Sequence, residues 1–119
     1  MKKEYADLWV AELRSGRHEQ GNYLLHRKDG RKCCLGVACY LERDNLKITR
    51  IPNHGDIEYN GFSSKLPPFM LDKWGIQSGN GKLLFEHNGK VYKSLTHAND
   101  LGVTFEEIAD IIEKNYEQL

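Results

Sequence analysis

Lys82-Leu83-Leu84-Phe85-Glu86-His87-Asn88-Gly89-Lys90-Val91-Tyr92-Lys93 is the stretch whose reading decides the fold. Asn-Gly between two apolar-rich runs is the pair that a type I′ hairpin turn demands, because both central residues take positive φ. A two-residue turn sets the register: His87 opposes Lys90, and Phe85 opposes Tyr92 as a cross-strand aromatic pair. The remaining apolar patterns are mostly helical. Together they predict an α+β fold, a small antiparallel sheet built from hairpins with four to five helices packed on it.

Toward the C-terminus, Ser94 is placed to cap a short helix to Leu101, closed by Gly102. Thr104 and Glu107 have the spacing of a capping box, and Phe105, Ile108, Ala109, Ile112 and Tyr116 form the buried stripe of the helix that follows. Toward the N-terminus, Leu66-Pro67-Pro68 opens a short helix to Trp74, closed by Gly75, since proline is tolerated in a first turn. Trp74 and Phe69 have two readings: closing that helix over the sheet, or forming a stacking surface beside Ser78-Gly79-Asn80-Gly81. Leu46 to Ile51 alternates like a half-buried strand, Ile57 to Tyr59 is its partner, and Pro52 to Gly55 is the loop between them. Cys34 to Glu42 is nearly all apolar and reads as a central helix. Gly36 in its first turn costs about 1 kcal/mol relative to Ala, which packing or function must offset. Asn22 to His26 reads as a short extended piece and Asp29-Gly30 as a turn. Lys3 to Leu13 reads as a helix with Tyr5, Trp9 and Leu13 on one stripe, flanked by Leu8 and stopped at Ser15-Gly16. The order is α, α, β, β, α, β, β, α, α, in a single domain over 1–119.

A chain of 119 residues needs neither metal nor disulfide to support a core. With 39% hydrophobic and 29% charged residues it does not have the composition of a disordered chain. Lys+Arg and Asp+Glu are both 17, and this balance argues against extended nucleic acid as a partner. The charge is uneven, however. Arg14 to Lys32 holds six basic and two acidic residues, a net of +4, whereas Asp100 to Leu119 has six acidic residues and one lysine, a net of −5. No run approaches the roughly 18 apolar residues of a membrane span, so no membrane partner is expected. Met1 to Trp9 lacks an apolar core and carries Glu4 and Asp7, unlike a signal peptide, so the expected location is the cytoplasm. Cys33, Cys34 and Cys39 are an odd number in one short stretch, and reduced thiols are the default.

Three groups of residues could carry chemistry. The first is an anion site. Gly30-Arg31-Lys32 leads into the helix beginning near Cys33, whose free N–H groups and dipole favour negative charge. Arg14 and Arg17 could add bidentate contacts. Gln20, Asn99 and Asp100 could read a base or ribose edge, and Cys34 and Gly36 complete the expected ligand-binding set. Against this stands the plainer reading of solvated loop charges and a closed helix end. The second group is a thiol nucleophile, Cys34, near a helix N-terminus, with His54 or His87 as base. The third is a metal site of Cys33, Cys34 and Cys39 with His18 or His26, but this spacing does not match the usual zinc patterns, and no metal is expected. The sequence contains no phosphate-binding glycine motif, paired-carboxylate signature or serine elbow, so a metabolic enzyme is disfavoured and no cofactor is expected.

Several phrases together carry a resemblance: Trp9 to Gly16, Glu19-Gln20-Gly21, Cys33 to Cys39, Leu66-Pro67 with Trp74-Gly75-Ile76, Ala98-Asn99-Asp100, and Phe105 to Glu113. In these the chain resembles a family of small bacteriophage and prophage proteins. The likeness covers nearly the whole length. It departs at His18, where relatives often have tyrosine. The run Cys34 to Tyr40 is also loosely similar to the nucleophile helix of papain-like cell-wall hydrolases, with Leu35 where those have a small residue. The phage resemblance implies a viral accessory protein in the bacterial cytoplasm. Such proteins commonly act by binding, either sequestering a host signalling nucleotide to counter host defence or blocking a host enzyme; a cysteine-dependent hydrolase is the third alternative. A homo-oligomer is the base-rate assembly.

Overall fold

The computed structural model describes residues 1–119. Its two longest helices, α1 (Lys3–Arg14) and α5 (Phe105–Asn115), pack against each other along their apolar stripes. On α1 the stripe is Ala6, Trp9, Val10 and Leu13, with Tyr5 half-buried beside it. Leu8, expected to flank it, is exposed on the other side of the helix. Thr104 and Glu107 make the predicted capping box at the start of α5. The guanidinium of Arg14 fastens the helix pair, donating to Asp110 (2.6 Å) and Glu113 (3.2 Å). This pairing neutralises part of the charge imbalance between the two ends of the chain.

Helix α2 (Cys34–Leu41) is central, touching both α1 and α4 (Leu95–Asp100), and it is buried throughout from Cys34 to Cys39. Gly36 is there because the backbone of Leu25 crosses the helix at this point, and a Cβ at position 36 would overlap the Leu25 carbonyl. Close backbone approach therefore offsets the poor helix propensity of glycine. Helix α3 (Pro68–Trp74) ends at Gly75 as predicted. Its Trp74 is wholly buried, stacks on Tyr5 with centroids 5.3 Å apart, and meets Trp9 edge-on at 5.9 Å. It thus closes α3 over α1; the expected sheet beneath it is absent.

Strands β3 (Lys82–His87) and β4 (Lys90–Ser94) form the predicted hairpin, with Phe85 opposite Tyr92 and His87 opposite Lys90. Asn88 and Gly89 take φ of 51° and 80°, as a type I′ turn requires. Strands β1 (Ile48–Arg50) and β2 (Ile57–Tyr59) form a second antiparallel hairpin. The sheet is thus two separate two-stranded ribbons. β1 is shorter than the alternation from Leu46 to Ile51 suggested, and all three of its residues are exposed. Its sequence alternates, yet neither face has a core to pack on. Residues 22–26 form no strand, and only His26 bridges to Ile57. No helix is long and apolar enough to cross a membrane.

Two buried carboxylates are fully partnered. Glu12 accepts from Arg17 (2.6 Å) and from His18 (2.6 Å), and these bonds, that from Arg17 first, hold it below the usual carboxylate range against the opposing effect of burial. Burial would raise Glu42, but bonds from Lys73 (2.7 Å), Trp74 (2.8 Å) and Asn45 (2.9 Å) outweigh it, and its pKa is lowered. His26, beside the Tyr59 hydroxyl at 2.8 Å, is pushed down to about 4, chiefly by burial.

Each of these groups has a folded pKa below its unfolded one, so each contributes stability that is complete above the unfolded pKa and is lost on acidification. Urea denaturation across pH should therefore show stability falling first between roughly 6.5, the unfolded value for histidine, and about 4, as unfolded but not folded His26 binds a proton. The loss from Glu12 and Glu42 adds to it below about 4.3. His26→Gln should flatten the upper limb and Glu42→Gln the lower one. Gly36→Ala should cost roughly 3 kcal/mol in the same assay, the upper end for overpacking, because the obstacle is backbone and cannot rotate away.

Candidate functional site

The loop from Gly16 to Lys32 passes the N-terminal ends of α2 and α5, and two side-chain amides join it to both. Gln20 Nε2 donates to Asn99 Oδ1 (2.9 Å) and to the Val103 carbonyl (2.8 Å), while its Oε1 accepts the Phe105 N–H (3.0 Å). Asn99 Oδ1 also accepts the Cys34 N–H (3.1 Å), and its Nδ2 donates to the Gly21 carbonyl (2.8 Å). The first N–H of a helix has no partner inside the helix. Here the amides of Gln20 and Asn99 supply that partner for α5 and α2. Cys33, at the cap position of α2, makes no capping bond of its own.

Beside this pair opens a shallow cleft of about 570 Å³ lined by Gln20, Gly21, Asn22, Arg31, Asn99 and Asp100, with Leu101 its one apolar contributor. The volume falls in the range of small-molecule sites, but the lining is polar where such sites are usually apolar. Asp100 Oδ1 accepts the N–H of Tyr23 (2.8 Å), which holds that residue at φ 69° with its side chain exposed. A bulky residue at positive φ is strained, and the Asp100 bond helps to keep it there. Gly21 has neighbours on two sides: a Cβ there would stand 2.9 Å from Arg31 Cβ and 3.1 Å from Arg27 Cδ. Arg27 Nη1 in turn donates to the Asn22 carbonyl (3.2 Å). Arg31 has only long contacts to acid, 3.6 Å to Asp29 and 3.8 Å to Glu19.

Four expected ligand residues, Gln20, Arg31, Asn99 and Asp100, thus meet in one cleft from opposite ends of the chain. The other five do not. Arg14 is committed to Asp110 and Glu113, and Arg17 to Glu12. Lys32 is buried, with its ammonium 5.3 Å from the Tyr40 ring centroid and its pKa pushed down by burial. Gly36 lies under Leu25. The N-terminus of α2, expected to face an anion, is occupied by the Asn99 oxygen.

Cys34 is completely buried, 3.8 Å from the Leu95 carbonyl, and burial raises its pKa well above the ordinary thiol value. It is therefore a protonated core thiol, and neither proposed base is free beside it. His87 is held by Glu107 at 2.5 Å, and His54 lines a different surface cleft with Arg27 and Lys28. Cys33, pushed up to about 11 by burial, and Cys39, raised likewise, pack in the same core. His18 and His26 face Glu12 and Tyr59 instead of these thiols. Sequence reasoning missed Asn22, which lines the cleft between Gly21 and Arg31. The available signal was Gly21, a glycine beside a basic segment at a position with no turn to explain it.

Asn99→Ala should cost about 2–3 kcal/mol in urea denaturation, because it leaves buried partners unsatisfied. Combining it with Gln20→Ala should cost less than the sum of the two single changes, by roughly 1 kcal/mol or more, if the amides act as one unit. Strict additivity would show that they do not.

No curated protein and no solved structure is similar to the chain. A family described as a domain of unknown function, DUF8296, matches residues 1–116, and the chain belongs to that family.

Proposed function

We propose that this chain is a non-enzymatic binding protein that captures a small anionic molecule of the nucleotide class in the Gln20–Asp100 cleft, and that as a viral accessory protein it withdraws that molecule from host defence signalling. The observation that carries this reading is the meeting of Arg31 with Asn22 and Asp100 over a floor made rigid by the Gln20–Asn99 pair. The floor amides are already hydrogen-bonded within the protein, so contacts to a ligand fall to the groups around them. Arg31 offers a guanidinium for an anion, and Asp100 keeps Oδ2 for an N–H or O–H donor. A polar, open cleft suits a hydrophilic ligand held reversibly. The burial of Cys34 weighs against hydrolysis. The viral setting rests on the likeness of the Leu-Arg-Ser-Gly, Cys-Cys-Leu-Gly-Val and Asn-Asp phrases to phage proteins.

A second reading, blocking of a host enzyme, is favoured by a different observation. Leu84 is 74% exposed and Val91 55% exposed on the β3–β4 hairpin, and exposed apolar side chains of this kind are used in protein contacts.

Mass spectrometry of small molecules released from protein purified out of bacterial cytoplasm decides between them. The cleft reading expects an anionic nucleotide-class compound near one per site, lost from Arg31→Ala protein. Empty protein that copurifies with a host enzyme would transfer the assignment to the second reading.

A further inference from the structure

We infer that the outer face of the β3–β4 hairpin is a self-association surface, on which a second copy of the chain docks about a two-fold axis lying along the Leu84–Val91 diagonal. This goes beyond the cleft reading and does not depend on it.

The register of the hairpin puts four exposed side chains on that face. Leu84 and Glu86 are the exposed pair at alternate positions of β3, and Val91 and Lys93 the corresponding pair of β4. Val91 stands directly opposite Glu86. Phe85 pairs with Tyr92, so their neighbours Leu84 and Lys93 fall side by side, at the register shift between Lys82 and Phe85. The four occupy the corners of a rectangle, with the two apolar residues on one diagonal and the two charged residues on the other. Leu84 is 74% exposed and Val91 55% exposed, so nothing in the chain covers the apolar diagonal. Neither Glu86 nor Lys93 forms an ion pair within its own chain.

Only one way of laying this face on itself matches every corner. In a two-fold contact the same patch serves both copies. An axis along the strands sets Leu84 on the second copy's Lys93, and an axis across them sets Leu84 on its Glu86. An axis along the charged diagonal sets Glu86 on Glu86 and Lys93 on Lys93. An axis along the apolar diagonal sets Leu84 on Leu84 and Val91 on Val91, and brings Glu86 against Lys93 twice. The rectangle, roughly 7 Å along the strand by 5 Å across it, is close enough to square for the long charged side chains to meet. Opposite charges in register fix orientation and exclude wrong partners. A second copy meets this pattern by symmetry alone, which is why it, and not a host enzyme, is assigned to the face.

The edges of the ribbon favour the face over edge-to-edge pairing. The sheet has only two strands, so no third strand pairs with either edge. Lys82 on β3, and Lys90 and Lys93 on β4, are exposed, and lysines on edge strands oppose the addition of another strand. Four side chains a side make a contact smaller than the roughly 800 Å² per partner of a standard interface. The dimer therefore belongs to the weak class, with a Kd of about 10 µM to 1 mM.

Sedimentation equilibrium of the full chain, from about 10 µM to 1 mM, tests this. The expected result is a reversible monomer–dimer equilibrium. Leu84→Asp, which buries a charge on the two-fold axis, should weaken it about tenfold or more. Glu86→Lys and Lys93→Glu should each weaken it by about tenfold, through like charges brought together. The double variant should return to within about threefold of the parent, because the exchanged pairs attract equally. Geometry supplies a second readout. In a mixture of isotope-labelled and unlabelled protein, a zero-length carbodiimide should join Glu86 to Lys93 in pairs of mixed isotope content. Thermal melts of each variant separate lost association from lost folding. Protein monomeric at about 1 mM would overturn the inference and free the face for another protein. A dimer indifferent to Leu84→Asp, or Glu86–Lys93 links found only within single chains, would place any dimer contact elsewhere and overturn it also. Failure of the double variant to recover affinity would overturn the two-fold orientation. The Gln20–Asp100 cleft is untouched by these variants, so its reading stands or falls separately.

Discussion

The structure depends on one contact between side-chain amides, Gln20 with Asn99, made across 79 residues of chain. Through it the loop after α1 is joined to the first N–H of α2 and of α5. A buried amide left unpaired costs more than a paired one gains, so the arrangement favours being made completely. Between them Gln20 and Asn99 place five hydrogen bonds, counting their mutual bond once. If Asn99 moves, α2 loses its N-terminal partner and the Gly21 carbonyl loses the Nδ2 donor that it accepts from. The polar cleft inherits this rigidity, because its floor is the same pair of amides. A floor ordered before any ligand arrives reduces the entropic cost of binding.

The features legible in the sequence were those set by neighbours in the chain. Asn88-Gly89 specifies its turn whatever surrounds it, and Thr104 with Glu107 caps a helix using only its own first turn. The α+β class followed from such local signals. Misread features depended on distant partners. Arg14 looked available for a ligand, yet its carboxylates lie 96 and 99 residues away. Lys32 looked like a loop charge, but its segment is drawn against Tyr40 and buried. The alternation from Leu46 to Ile51 is real, but no core reaches β1 to give it meaning. Of the candidate site, the polar members Gln20, Asn99 and Asp100 were readable as polar residues beside apolar runs. Asn22 was not, because only the fold sets it in one cleft with Asn99 and Asp100.

The basic residues from Arg14 to Lys32 illustrate how equal charges acquire different roles. Arg14 and Arg17 stabilise helix contacts, and Lys32 enters the interior. Arg27 and Arg31 alone are brought to the same small glycine. The formal net charge of zero therefore says little about local potential. Where each charge ends, and what it faces there, is a property of the fold.

The three thiols in and at the cap of α2 have a further consequence. Burial keeps all of them protonated and shielded, and only the thiolate is alkylated or oxidised at an appreciable rate. Modification by a water-soluble reagent must then await an opening of the molecule. The centre of this protein carries its own clock: the rate at which Cys33, Cys34 and Cys39 become labelled reports how often α2 separates from α1 and α4, and any ligand that tightens the Asn99 junction would slow it.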